Sequence, residues 1–326
     1  MDDDACLACH ELHHAADKPL LRTPRDRLCL ACHDDIRKGL AAPTGSVHQP
    51  VAKDCTLCHR VHGGGAGPAL TVSDTPTLCK TCHADLVNRA LNAKHPHKPV
   101  LENKRCAECH DPHFSRGRSL LKKTTRDLCL GCHDTTYTLS DGSVLADVKK
   151  QVTQSRYVHG PARQGSCTPC HDAHGSDYPR LLKYDFPCSF YAPFSESRYE
   201  LCFRCHNRKM VLEPQSEVTR FRNGERNLHY LHVHQEKGRT CRACHHEHAS
   251  NSPYRIRETV PFGNWNMPLK FKKTEDGGSC SSSCHIERGY NRVNPVQNPV
   301  GGSQTPSAPL SSNAPVFQSG AAGAKR

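Results

Sequence analysis

Cys55-Thr56-Leu57-Cys58-His59-Arg60-Val61-His62, followed by Cys79-Lys80-Thr81-Cys82-His83, is the stretch that decides the fold. Each Cys-x-x-Cys-His offers two thiols that can form thioether bonds to the vinyl groups of a haem. An imidazole follows at once, able to bind the iron from one side. The motif occurs nine times, beginning at Cys6, Cys29, Cys55, Cys79, Cys106, Cys129, Cys167, Cys202 and Cys241. The second thiols are Cys9, Cys32, Cys58, Cys82, Cys109, Cys132, Cys170, Cys205 and Cys244. The proximal imidazoles are His10, His33, His59, His83, His110, His133, His171, His206 and His245. A tenth copy carries one extra residue, Cys280-Ser281-Ser282-Ser283-Cys284-His285. The pattern predicts ten covalently attached haems c, the tenth requiring the local turn to absorb a serine. Of the 21 cysteines only Cys188 is left over, and it reads as an idle thiol.

Zinc knuckles and redox dithiols also use Cys-x-x-Cys, but neither needs a histidine directly after the second cysteine. With 24 histidines in 326 residues, chance supplies one there roughly 7% of the time. Ten successive occurrences exclude coincidence. A disulfide scaffold fits no better, because cysteines two residues apart cross-link nothing distant.

Composition agrees. Only 36% of the chain is hydrophobic and 6% aromatic, with one tryptophan, too little for an aliphatic core at this length. Porphyrins would supply the apolar interior, with short segments wrapped around them. The expected fold is mostly irregular with short α-helices, a linear stack of five two-haem repeats with little or no β-sheet. The formal charge of +12 falls to about +2 with ten ferric haems and to about −8 with ten ferrous haems. The basic residues then balance propionates and keep the surface soluble, and nucleic acid is not an expected partner. There is no transmembrane segment and no recognisable export signal before Cys6. Covalent haem attachment takes place beyond the cytoplasmic membrane, so the expectation is an exported protein with a trimmed or misplaced start.

The motifs fall in pairs. First members start at Cys6, Cys55, Cys106, Cys167 and Cys241, with periods of 49, 51, 61 and 74 residues. The repeats are approximately 1–44, 45–92, 93–150, 151–220 and 221–293, together a decahaem domain over 1–293. Leucine precedes most second motifs, and a Leu-Leu step lies upstream at 20–21, 120–121 and 181–182. From Asn294 to Arg326 the chain turns to Pro, Ser, Gly, Ala, Asn and Gln, the composition of a disordered tail.

A haem with protein ligands on both faces has no place for substrate, so the second axial ligand decides between electron transfer and catalysis. His13, His62, His113, His174 and His248 each follow a first-motif ligand by three residues. On a helical turn such a residue shares a face with the proximal ligand and can reach only a neighbouring haem. The expected target is the second haem of the same pair. His48, His97, His159 and His232 lie shortly upstream of first motifs and are expected to serve first-motif haems, of their own or the preceding repeat. His97 is preferred to His95 because His97-Lys98-Pro99-Val100 matches His48-Gln49-Pro50-Val51. In the fifth repeat His229, His232 and His234 compete, with His232 preferred. The first haem lacks an upstream histidine, its ligand being lost with the N-terminus or replaced by His14. Three methionines are too few to serve as general axial ligands, so bis-histidine, low-potential haems are expected.

Longer stretches carry a resemblance. They are Phe190-Tyr191-Ala192-Pro193 leading to Leu201-Cys202-Phe203-Arg204-Cys205-His206, then Phe221-Arg222-Asn223-Gly224, Asn227-Leu228-His229-Tyr230 and Gly238-Arg239-Thr240-Cys241. With the paired motifs, and with Gly277-Gly278-Ser279-Cys280 through His285, the chain resembles the doubled Cys-x-x-Cys-His multihaem cytochromes of bacteria that respire minerals or other distant acceptors. A lengthened last motif is known in that family. The resemblance implies a periplasmic or extracellular electron carrier whose partners are other redox proteins, such as cytochromes, quinol-oxidising components or outer-membrane conduits. In haem count and size the chain is also similar to decahaem conduits that sit inside outer-membrane porins. No catalytic residue is assigned. A multihaem reductase with one open haem is the rival, although no Cys-x-x-Cys-Lys marks such a site. A subunit of a self-associating extracellular cytochrome filament is a third reading. Trp265 reads as packing on a porphyrin. The run Gly63 to Gly65 lacks the strand, helix and lysine of a phosphate loop.

Overall fold

The computed structural model describes residues 4–299 apart from 12, 14–19, 43–44, 63–68, 102–105, 140–141 and 143. His14, the glycine run Gly63 to Gly65 and residues 300–326 of the expected tail lie outside the described residues. The chain divides into two compact units, 1–208 with 232–255, and 209–231 with 256–326. The boundary cuts through the fifth expected repeat. Among the described residues no helix is long and apolar enough to cross a membrane.

In the first unit each regular motif makes the same turn. The histidine N–H donates to the carbonyl of the first cysteine in all nine, from His10 to Cys6 at 2.9 Å through His245 to Cys241 at 2.8 Å. This single helical turn turns both thiols and the imidazole toward one side. Second motifs ride on short helices, Arg25–Cys32, Thr75–Lys80, Thr125–Leu130 and Glu200–Phe203. Asp74 and Thr124 cap two of them, accepting from the backbone N–H groups of Thr77 and Asp127. First motifs sit on one-turn pieces such as Cys55–Leu57 and Cys241–Ala243.

Every first motif is tied to the chain about ten residues on, four by a bridge and the fifth by the His246 N–H donating to Arg255 O at 2.8 Å. His10, His59, His110 and His171 bridge to Leu21, Leu70, Leu121 and Leu182. Just before those leucines the backbone turns left-handed, at Ser119 and Leu120, Arg180 and Leu181, and Tyr254 and Arg255, with φ between 55° and 59°. Such conformations cost non-glycine residues on the order of 1–3 kcal/mol each, so the surrounding hydrogen bonds must hold them. The recurring Leu-Leu step belongs to this turn.

Strand in the first unit consists of two-residue pairings, one within a repeat, Tyr137–Thr138 with Val144–Leu145, and the others between repeats. Ser46–Val47 lies antiparallel to Phe114–Ser115, His95–Pro96 to Gly175–Ser176, and Tyr157–Val158 to Ala249–Ser250. Another pairing joins two stretches of the family resemblance. Ala192 N–H donates to Gly238 O at 2.8 Å and Thr240 N–H to Phe190 O at 3.0 Å. Tyr199 is buried beside them against Phe186 and Phe194.

The second unit corrects the expectation of little or no sheet. A hairpin of Thr259–Phe262 and Trp265–Pro268 turns through Gly263 at φ 58°, a left-handed turn that suits glycine. Phe271–Lys273, Gly277–Ser282 and His285–Asn291 then form a three-stranded antiparallel sheet. Its core is made of side chains: Val260, Met267, Leu269 and Tyr290 are buried. No regular motif occurs in these residues, and the sheet buries a hydrophobic face of its own. Residues 294–298, placed in the tail by composition, fold back on this sheet. Val296 N–H donates to Asn223 Oδ1 at 2.8 Å, and Asn298 exchanges hydrogen bonds with Gly289. Trp265 is 43% exposed on its hairpin.

Candidate haem-binding sites

Seven motif histidines face a second imidazole at one nearly constant separation. Ring centroids lie 5.8 Å apart for His10 and His62, 5.9 Å for His59 and His113, 6.1 Å for His110 and His174, and 6.2 Å for His171 and His248. They lie 6.2 Å apart for His48 and His83, 6.4 Å for His97 and His133, and 6.1 Å for His159 and His206. All seven pairs are within 10–29° of parallel. Two imidazoles bound to opposite faces of one iron through bonds of about 2 Å have centroids about 6.3 Å apart. The residues present therefore fit the group that the motifs imply.

The pairs follow a register that differs from expectation. His62, His113, His174 and His248 face the first motif of the preceding repeat, not the second motif of their own. His48, His97 and His159 face the second motif of their own repeat, not a first motif. The reason is the pairing between repeats. The Ser46–Val47 and Phe114–Ser115 pair brings His48 and His113 together, His48 N–H donating to His113 O at 3.0 Å. One ring then faces His83 and the other His59, the two motifs of a single repeat. His159 N–H donates to His248 O at 2.8 Å in the same arrangement. The gap expected at the first haem is not seen there: His10 faces His62.

Hydrogen bonds fix which nitrogen is available. Nδ1 of His48, His97 and His159 lies 2.9, 2.7 and 3.0 Å from the carbonyls of Pro112, Ala173 and Glu247. Nδ1 of the proximal His110, His171 and His245 lies 2.7, 2.9 and 3.0 Å from Ser119, Arg180 and Tyr254. Those carbonyls belong to the left-handed turns. A ring that donates from Nδ1 keeps its Nε2 lone pair for metal. Burial also lowers the pKa of His113, His133, His159, His171, His174 and His206, and takes His248 to about 4. The neutral ring is the form that ligates.

Thiols of successive motifs are neighbours. Cys79, Cys129 and Cys202 hydrogen-bond Cys106, Cys167 and Cys241, and these contacts together with burial raise the first thiol of each pair. Burial and then Cys55 raise Cys29. Within repeats Cys58 interacts with Cys82, Cys109 with Cys132, and Cys170 with Cys205. Attachment points thus follow one another in sequence order.

A doubled CXXCH motif model matches residues 1–38, 48–88, 97–138 and 159–211. The chain belongs to this family. It is a multihaem c-type cytochrome of the doubled CXXCH motif type. The Multiheme cytochrome MtrA of Shewanella baltica (strain OS185) is 30% identical over 202 residues, which is 56% of this chain and 52% of that protein. The chain thus matches about half the length of this curated relative.

The last motif of this family member stands apart. Cys280 lies on a strand and His285 pairs with Ser282 across a hairpin. Cys280 Sγ points to Leu269 O at 3.0 Å, burial pushing this thiol up to about 11, and Cys284 Sγ lies 3.7 Å from the Met267 sulfur. Nδ1 of His285 lies 2.6 Å from Ile286 O. The three competing histidines separate. His229 bonds Thr219 through Nδ1 at 2.7 Å, the His232 carbonyl accepts from Arg239 N–H at 2.9 Å, and His234 packs on Phe194 at 4.2 Å. His13 and Cys188 are exposed.

Proposed function

We propose that the chain carries electrons along bis-histidine, low-potential haems taken in sequence order. The observation that supports this is the set of seven facing imidazoles, which leave no coordination position for substrate. When bound, haem supplies reversible one-electron storage, and the protein sets spacing and potential. The adjacency of successive thiols, Cys29 to Cys55 and onward to Cys202 with Cys241, favours closely spaced macrocycles. Proximal ligation falls to the motif histidines and distal ligation to His48, His62, His97, His113, His159, His174 and His248. His13 and His232 occupy equivalent places in the first and fifth repeats. Nine haems attach at the regular motifs and a tenth at Cys280 and Cys284, where both thiols must turn away from Leu269 and Met267.

The protein works in the periplasm or outside the cell, handing electrons to other redox proteins during anaerobic or extracellular respiration. Covalent haem attachment beyond the cytoplasmic membrane and the MtrA likeness support this. A reductase would need an open haem. Carbon monoxide added to the reduced holoprotein tests the point: the seven paired haems are expected not to bind it, and stoichiometric binding at any of them overturns the reading. Mass spectrometry of the intact holoprotein is expected to count ten haems.

A further inference from the structure

Between each first-motif ligand and the histidine three residues later lies a position that the ligand pattern does not use. It is Glu11 before His13, Arg60 before His62, Asp111 before His113, Asp172 before His174 and His246 before His248. At the two aspartates the geometry is the same. Asp111 Oδ1 accepts the His113 N–H at 2.9 Å and lies 3.8 Å from that ring's Nδ1. Asp172 Oδ1 accepts the His174 N–H at 3.1 Å and lies 3.8 Å from its Nδ1. The backbone bond holds each carboxylate against the side of the imidazole opposite Nε2. Arg60 cannot accept such a bond, and its guanidinium donates to Thr71 O at 3.2 Å.

A negative charge behind an axial imidazole draws its Nδ1 proton, makes the ring a stronger donor and favours ferric over ferrous iron. A positive charge in the corresponding place does the reverse. Resting on the ligand assignment above, we infer that Asp111 and Asp172 are tuning residues that lower the potentials of two haems. These are the haems held by His59 with His113 and by His110 with His174. The haem held by His10 with His62, where Arg60 stands at this position with its guanidinium on Thr71 O and supplies no negative charge, lies higher. The line of first-motif haems is thereby graded in potential by one residue per repeat, a bias on electron flow that the identical ligand sets cannot supply. The carboxylates are about a third to a half exposed, at 34% and 46%, so solvent screens part of the field.

Asp111→Asn and Asp172→Asn keep the oxygen that accepts the backbone N–H and remove only the charge. In the holoprotein, a redox titration followed by electron paramagnetic resonance is expected to show one haem per variant moving upward. The expected change is roughly tenfold in its reduction equilibrium constant, which is 59 mV for one electron. Unchanged midpoints in both aspartate variants, with low-spin signals intact, sink the tuning role alone. Absence of low-spin bis-imidazole signals from the wild-type protein sinks the ligand assignment itself.

Discussion

The ring of His62 lies 5.8 Å from the ring of His10 and 20° from parallel to it, although a whole repeat of chain separates the two. The same relation recurs at His113 with His59, His174 with His110 and His248 with His171. In the first four repeats the first-motif imidazole faces a ring from the repeat that follows, not one from its own.

His62→Ala is therefore expected to open the haem at Cys6 and Cys9, converting one low-spin centre to high-spin and creating one carbon monoxide site. The measurement is best made beside a second protein that also carries Cys79→Ala and Cys82→Ala. Retention of the high-spin signal there assigns it to the first motif; its disappearance would mean that His62 serves the motif at Cys79.

The left-handed turn at Ser119 carries the carbonyl facing His110 Nδ1. Ser119→Val puts a β-branched residue at φ 55°, which costs about 1–2 kcal/mol. Denaturant unfolding of the holoprotein should show that loss, whereas Ser119→Gly should match or slightly exceed the parent. Equal destabilisation by both substitutions would remove the backbone explanation.

At Gly238 a methyl group would overlap the carbonyl oxygens of Val233 and Ala192. Both are backbone atoms, Ala192 O lying in the pairing of 190–192 with 238–240, and cannot swing aside. Gly238→Ala is expected to cost about 1–3 kcal/mol and to lower the melting temperature by several degrees. A variant that melts with the parent would show that the pairing relaxes freely.

Blocking thioether attachment, by expression in a host without the maturation machinery, is expected to leave residues 4–208 without a stable fold. Buried apolar residues described there are few, Ala90, Leu130, Val152, Phe186, Ala192 and Tyr199, well short of a side-chain core. Hydrogen exchange should find these amides unprotected. Persistent protection without haem would show that the polypeptide holds itself together.

Much of this architecture was legible in the sequence. The nine regular motifs became nine identical turns, and four of the five histidines at three-residue spacing and three of the four upstream of first motifs became facing rings, His13 and His232 not being among them. The register was not legible, because the helical-face argument looks only along one turn and the decisive contact is a two-residue strand pairing between repeats. A signal was present: His113-Phe114-Ser115, His174-Gly175-Ser176 and His248-Ala249-Ser250 repeat a His-x-Ser step, and each pairs with residues just before His48, His97 or His159. The sheet of the second unit was missed for another reason. Cys280 to His285 was read as a variant of the haem turn, yet Gly277 and Gly278 allow the close approach of Tyr290 and Lys272 that a hairpin needs.

The borrowed imidazoles also bear on what happens when the polypeptide is cut. Under the proposed ligand assignment each connection between repeats would double a peptide link with a coordination bond to iron, so a protease that nicks the segment after Cys132 is expected not to release two halves. Fragments separable on a denaturing gel should still migrate as one particle under native conditions, held by the bond between the His110 haem and His174 until the metal is stripped away.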